Sequence, residues 1–193
     1  MKVTEAGLSG LLLIEPRVFR DDRGYFLETW HAERYKEAGI QKDFVQANRS
    51  HSKKGVLRGL HYQLGQPQGK LVRVLRGEVF DVAVDIRKGS PTFARWKGFH
   101  LSEGNHHQLY IPEGFAHGFY VISDTADFAY FCTDYYSPEE ERGIRWDDPD
   151  IAIKWPEGEK MISEKDQACP HLNDTLNELP TYTPSPPSGE REG

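Results

Sequence analysis

The stretch 71–86 restricts the fold more than any other part of the chain. Val72 and Val74, then residues 79–84, make two runs rich in β-branched side chains, with Arg76-Gly77-Glu78 between them. That pattern reads as two strands joined by a hairpin turn. Short segments of alternating apolar and polar residues, bounded by Gly or Pro, recur at 59–64, 96–101, 108–111, 117–122 and 127–135. Helical patterning is confined to about 32–39 and a short stretch after Ser163. Many short strands and few helices predict an all-β chain, an antiparallel sandwich or a barrel closed on itself. With 193 residues and 37% hydrophobic content there is enough material for one domain with a real core. Residues 1–176 are expected to form it. Residues 177–193, which hold Pro180, Pro184, Pro186 and Pro187 and few large apolar groups, are expected to be a disordered tail.

Charge and cysteine usage narrow the function. A net charge of -6 offers no global basic field for nucleic acid or an anionic membrane, so any anionic ligand must be held by a local Arg and Lys cluster. The longest early apolar run, 11–14, is too short for a signal-peptide core or a membrane span. Cys132 and Cys169 are too few for a disulfide framework, which fits a reducing, cytoplasmic setting.

Polar residues concentrate where strands should face inward. Gln46 and Asn48 lie two apart, and His61 and Gln63 share a face. Arg58 precedes a glycine that can bulge its strand, Lys70 follows a glycine, and His117 follows the turn Pro112-Glu113-Gly114. Two cations, two histidines and several amides do not belong in a closed apolar core, so they imply a wet cavity large enough for a ligand. A metal site in such a barrel would need two His one residue apart, a nearby carboxylate and a later His. Here the segment runs His61-Tyr62-Gln63, no Asp or Glu follows before Lys70, and His106-His107 would face opposite ways on a strand. No metal and no other cofactor is expected.

Taken in order, Arg23-Gly24-Tyr25-Phe26-Leu27-Glu28-Thr29-Trp30, Arg58-Gly59-Leu60-His61-Tyr62-Gln63, Gly69-Lys70-Leu71-Val72-Arg73-Val74, Pro112-Glu113-Gly114-Phe115-Ala116-His117-Gly118-Phe119, Thr133-Asp134-Tyr135-Tyr136 and Ile162-Ser163-Glu164-Lys165-Asp166 resemble the dTDP-4-dehydrorhamnose 3,5-epimerase family of the cupin superfamily. The resemblance implies a cupin-type jelly-roll barrel with a few short peripheral helices. It also implies a reaction at the carbons beside the C4 ketone of a dTDP-4-keto-6-deoxy-hexose. Such a ketone delocalises the anion left by deprotonation, so inversion needs a base on one face, an acid on the other and a donor or cation at the oxygen. His61 is then the base and Asp166 its orienting carboxylate, although Ser163-Glu164-Lys165-Asp166 also reads as a helix capping box. Tyr130 matches the acid, Lys70 serves the enolate oxygen, and His117 can share it.

The same resemblance assigns Arg23 and Arg58 to the diphosphate region and Gln46 and Asn48 to amide contacts. It assigns Glu28 to the thymine edge, Phe19 and Tyr135 to stacking on the base, and Glu141 and Lys165 to further binding. It implies a homodimer whose N-terminal strands cross, so that Phe19, Arg23 and Glu28 complete the neighbour's site. Alternatives stay open at this point: a 3- or 5-mono-epimerase or 3,4-ketoisomerase of another deoxysugar pathway, a non-catalytic sugar-nucleotide-binding cupin, and a metal-dependent cupin dioxygenase.

Overall fold

The structure, a computed structural model, describes residues 1–183. The period-two segments build strands β1 (Lys2–Glu5), β2 (Leu12–Glu15), β3 (Val18–Asp21), β4 (Gly24–Leu27), β5 (Gln46–Lys53), β6 (Leu57–Gln63) and β7 (Lys70–Arg76). They continue with β8 (Glu78–Asp85), β9 (Trp96–Ser102), β10 (Gln108–Ile111), β11 (Phe115–Val121), β12 (Thr125–Cys132) and β13 (Glu141–Gly143). Helices are short: α1 (Ala32–Glu37), α2 (Glu164–Gln167) and α3 (Leu172–Thr175). The chain is all-β, as the alternation predicts.

Two antiparallel sheets face each other. One runs β1-β2-β10-β7-β12-β5 and the other β13-β6-β11-β8-β9, while β3 and β4 form a separate hairpin. Between the sheets, Val72, Val74, Leu109 and Phe128 from the first meet Val79, Ala83, Leu101 and Phe119 from the second. Each Val, Leu or Phe among them, fully buried, stabilises the fold by roughly 1.5–3 kcal/mol relative to an exposed one. Outside the first sheet, Ile14, Leu71 and Tyr110 pack with Tyr35 of α1. Outside the second, Val82, Val84 and Ala116 pack with Ile144, Ile151, Leu172 and Leu179. Each sheet is thus covered over part of its outer face, and the space between the sheets beyond the apolar cluster is left for the site.

One expectation fails. Arg76-Gly77-Glu78 is not a hairpin turn, because β7 lies in the first sheet between β10 and β12 whereas β8 lies in the second between β11 and β9. A one-residue link is too short to reverse the chain into a paired strand. Gly77 instead turns a corner between sheets at φ +78, where a Cβ would sit 2.1 Å from the Thr125 carbonyl oxygen. The packed part of the chain also runs past residue 177. Leu179 is buried, the Lys88 N–H donates to the Pro180 carbonyl at 2.7 Å, and the Tyr182 N–H donates to the Lys88 carbonyl at 2.8 Å. The Arg87 guanidinium lies over the rings of Phe115 and Tyr182, 4.5 and 5.0 Å from their centroids. Pro184, Pro186 and Pro187 lie outside the described residues.

Candidate active site

A cavity of about 370 Å³ opens between the sheets. Strand alternation decides what lines it. On the first sheet, Gln46, Asn48 and Ser50 of β5 point inward, and the partners of Asn48 and Gln46 on β12 are Tyr130 and Cys132. Lys70, at the start of β7, is the cross-strand partner of Cys132. The opposite wall carries Arg58 and His61 of β6 with His117 and Phe119 of β11.

Arg58 and His61 are three residues apart, a spacing that should send them to opposite faces of a regular strand. The register supplies the reason they share one. His117 pairs with His61 but Phe119 pairs with Arg58, so β6 holds one extra residue, a β-bulge. Gly59 makes it possible: its φ is +111, and a Cβ there would lie 2.6 Å from both the Gly118 Cα and the His117 carbonyl oxygen.

His61 is held by a carboxylate from a distant part of the chain. Its Nε2 is 2.8 Å from Oδ1 of Asp166, whose Oδ2 accepts the Gly59 N–H at 3.1 Å. Asp166 sits in α2, where the Ser163 Oγ accepts the Asp166 N–H at 3.1 Å as an N-cap. The capping and dyad readings therefore hold together, the cap fixing the helix and the helix delivering the carboxylate. Burial alone would raise the Asp166 pKa, but the hydrogen bond and charge of His61, with the Gly59 N–H, outweigh it and hold the carboxyl below its ordinary value. An ionised Asp166 orients the His61 Nε2 as donor and leaves Nδ1 as the available base.

Tyr130 faces the cavity from the other wall. Burial, then the nearby Cys132 and Glu141, push its phenol pKa up, so the proton stays in place at neutral pH for delivery. Burial pushes the Lys70 ammonium pKa down. Among the described residues Lys70 makes no ion pair, so its charge is left for a ligand. Arg58 donates from Nε to the Ser52 Oγ at 3.1 Å, which fixes its stem, and its side chain reaches the cavity. Glu141, on β13, accepts the Tyr136 hydroxyl at 2.9 Å and pairs with Lys165. His117 completes the lining, its Nε2 2.9 Å from Oδ2 of the fully buried Asp81.

Thus His61, Tyr130, Lys70, Gln46, Asn48, Arg58, His117 and Glu141 line one cavity, with Asp166 directly behind His61. Lys165 does not line it but holds Glu141. Phe19, Arg23 and Glu28 lie elsewhere, on and beside the β3–β4 hairpin. Phe19 is 50% exposed, Arg23 pairs with Asp21 at 2.6 Å, and Glu28 accepts from the Arg34 Nε at 3.0 Å. Tyr135, 61% exposed, does not line the cavity, whereas its neighbour Tyr136 does. Their loop is pinned by Gln63, which donates to the Tyr135 carbonyl at 3.0 Å and accepts the Ser137 N–H at 3.0 Å, and by Gln46, which accepts the Tyr136 N–H at 2.9 Å.

Sequence reasoning passed over Asp81, Ser50, Gln68, Phe119 and Phe128. The signal for Asp81 was there: a carboxylate inside the apolar run Val79-Phe80-Asp81-Val82 must have a buried partner. Among the described residues no group of three or more His, Cys, Asp and Glu side chains is placed to hold a metal ion. A base with an oriented ring, a neutral acid on the facing wall and a cation on each wall are the parts needed to take hydrogen from a carbon acid and return it to the other side.

Comparison with known proteins agrees with the geometry. The family model described as dTDP-4-dehydrorhamnose 3,5-epimerase matches residues 5–174. The dTDP-4-dehydrorhamnose 3,5-epimerase of Pseudomonas aeruginosa is 54% identical over 169 residues, 86% of this chain and 93% of that protein. The enzyme of the same name from Methanothermobacter thermautotrophicus is 53% identical over 166 residues, 84% of this chain and 90% of its own length. Among solved structures, a dTDP-6-deoxy-D-glucose-3,5-epimerase from Legionella pneumophila in complex with dTDP-4-keto-L-rhamnose superposes with a TM-score of 0.91 at 55% identity, covering 95% of this chain and 99% of the other.

Proposed function

The chain belongs to the dTDP-4-dehydrorhamnose 3,5-epimerase family and is an isomerase of nucleotide sugars, and from that premise we propose the roles of its residues in converting dTDP-4-dehydro-6-deoxy-D-glucose to dTDP-4-dehydro-L-rhamnose. His61, oriented by Asp166, takes the hydrogen from the carbon beside the ketone. Lys70 and His117 meet the charge that moves onto the C4 oxygen, and Tyr130 returns a proton from the opposite wall. His61 then gives up its proton to water and Tyr130 regains one, and a second cycle at the other carbon completes the inversion. The ketone of the substrate acidifies the carbon on its own, so the proton steps need no added cofactor. The observation that supports this most is that His61 and Tyr130 line one cavity from facing sheets, because an acid and a base on the same wall would exchange hydrogen without inverting the carbon.

Arg58 is placed for the diphosphate, with Gln46 and Asn48 as amide contacts. The exposed aromatic hairpin, with Tyr25 55% and Phe26 70% exposed, favours a homodimer in which Phe19, Arg23 and Glu28 reach the neighbour's nucleotide. Tyr136 takes the stacking role expected of Tyr135. No helix among the described residues is long and apolar enough to cross a membrane, and a cytoplasmic location is part of the same proposal. The test is incubation with dTDP-4-keto-6-deoxy-D-glucose in deuterated water, followed by proton NMR. Deuterium at both C3 and C5 with conversion to the L-configured product is expected; unchanged substrate would refute the assignment.

A further inference from the structure

His61 and His117 are cross-strand partners on β6 and β11. Both line the cavity, and each engages a buried carboxylate through Nε2, at 2.8 Å to Asp166 and 2.9 Å to Asp81. The two carboxylates are in opposite situations. Asp166 has a donor on each oxygen, His61 on one and the Gly59 N–H on the other. Asp81 is 0% exposed, and among the described residues its Oδ1 has no hydrogen-bond partner. Its register neighbours in the sheet are Phe119 and Phe99, and its same-face neighbours along β8 are Val79 and Ala83. It has neither water-facing surface nor a second donor.

A fully ionised carboxylate with one bare oxygen in such surroundings is strongly disfavoured unless a proton or a positive charge accompanies it. Two hydrogen arrangements meet that need: a protonated Asp81 donating to Nε2 of a neutral ring, or an imidazolium beside the carboxylate. Both place a hydrogen on Nδ1, the ring nitrogen for which the described residues supply no partner. The third arrangement, Nε2–H donating to the carboxylate with Nδ1 bare, leaves Oδ1 of the charged carboxylate without a donor, and Lys70, the cation whose field reaches it, makes no hydrogen bond to it. At Asp166 that third arrangement carries no such penalty, because its second oxygen is already satisfied.

Building on the proposed function, we infer that Asp81 is a positioning residue that keeps a hydrogen on Nδ1 of His117, making His117 a donor to the enolate oxygen while its strand partner His61 remains the acceptor of the carbon-bound hydrogen. Two His–Asp pairs of the same composition, side by side on adjacent strands, thereby serve opposite ends of one proton transfer. What separates them is a single hydrogen bond, the one from the Gly59 N–H at the bulge. The hydrogen on His117 is not consumed; it lends a charge-assisted bond where negative charge collects and withdraws nothing from the substrate.

The direct test uses wild-type protein labelled with nitrogen-15 in its histidines. Long-range proton–nitrogen spectra at neutral pH are assigned by comparison with His61→Asn and His117→Asn. A hydrogen-bearing Nδ1 for His117 and a bare Nδ1 for His61 are expected, and a bare Nδ1 on His117 overturns the inference. In Asp81→Asn the amide can donate to Nε2 as a protonated Asp81 would, so the Nδ1 hydrogen and the rate of deuterium exchange should be largely kept. Asp81→Leu offers Nε2 no partner, and there the rate at saturating substrate should fall roughly 10- to 100-fold with little change in KM, the range seen when a partner behind a working side chain is lost. An unchanged rate in Asp81→Leu, or a change in its KM alone, also overturns the inference. Because the spectra need no substrate, wild-type protein that shows the Nδ1 hydrogen but exchanges nothing would refute the proposed function and leave the hydrogen where the inference places it.

Discussion

Replacing Asp166 with Asn changes one atom and should disable the base. The wild-type carboxylate receives two donors, the Gly59 N–H at 3.1 Å and the His61 Nε2 at 2.8 Å. An amide has one oxygen to offer. The backbone donor cannot change its hydrogen, so the amide oxygen goes to Gly59 and the NH2 turns toward His61. That forces Nε2 to accept and moves the imidazole hydrogen to Nδ1, where the base should be bare. The reverse orientation keeps the tautomer but leaves the Gly59 N–H facing an NH2, at a cost of about 1–3 kcal/mol for a buried donor without a partner. The active orientation is therefore depleted about 5- to 150-fold. Where an equivalent Asp→Asn change fixes the wrong tautomer outright, the loss is about 10⁴-fold in kcat. A fall of at least about fivefold in kcat is expected, read as the initial rate of deuterium incorporation by proton NMR. Circular dichroism should confirm that the variant is folded, since Ser163 still caps the helix. A folded Asp166→Asn enzyme within threefold of the wild-type rate would refute the tautomer argument.

Tyr130→Phe should keep hydrogen exchange at the carbon while inversion fails, because removal and opposite-face return are uncoupled; equal loss of both would assign Tyr130 a structural role. With burial holding its phenol above the ordinary tyrosine value, the alkaline limb of the wild-type inversion rate should lie above about pH 10. Asp85 is fully buried and receives the Arg87 N–H, Nε and Nη2 at 3.0, 2.9 and 2.9 Å, with the Ser90 and Thr92 hydroxyls both at 2.6 Å. Asp85→Ala should cost about 3–5 kcal/mol by leaving the Arg87 guanidinium unpaired, lowering Tm by about 6–20 °C in calorimetry. Burial would raise the Asp85 pKa, but those donors hold it below the ordinary carboxylate value. Its contribution is therefore fully present above the unfolded value near 3.8 and is lost as pH falls through the folded one, so an acid titration of stability should be shallower in the variant.

How much of this was legible in the sequence differed by element. β8 and β12 could be read directly, since one face of each packs against the apolar core. β5 could not, because Gln46, Asn48 and Ser50 face a wet cavity, Ser52 accepts from Arg58, and a strand with a polar inner face lacks apolar alternation. The corner at Gly77 looked like a turn because a local pattern shows that the chain bends and not which sheet it joins next. His61 and Asp166 stand 105 residues apart, so no local spacing relates them; the family resemblance supplied the pair and the helix cap explains how it is positioned. The bulge at Gly59 was visible as a glycine beside Arg58, but its second consequence, a backbone donor for Asp166, appears only in three dimensions. Asp81 is hard to read locally because it sits inside an apolar strand, where the pattern signals core and not cavity.

The base assignment is tested most directly by His61→Asn, with the folded variant and the wild-type enzyme given dTDP-4-keto-6-deoxy-D-glucose in deuterated water. Wild-type protein should place deuterium at C3 and C5, and His61→Asn at neither carbon. Deuterium entering either position at the wild-type rate in the variant would show that another group takes the hydrogen.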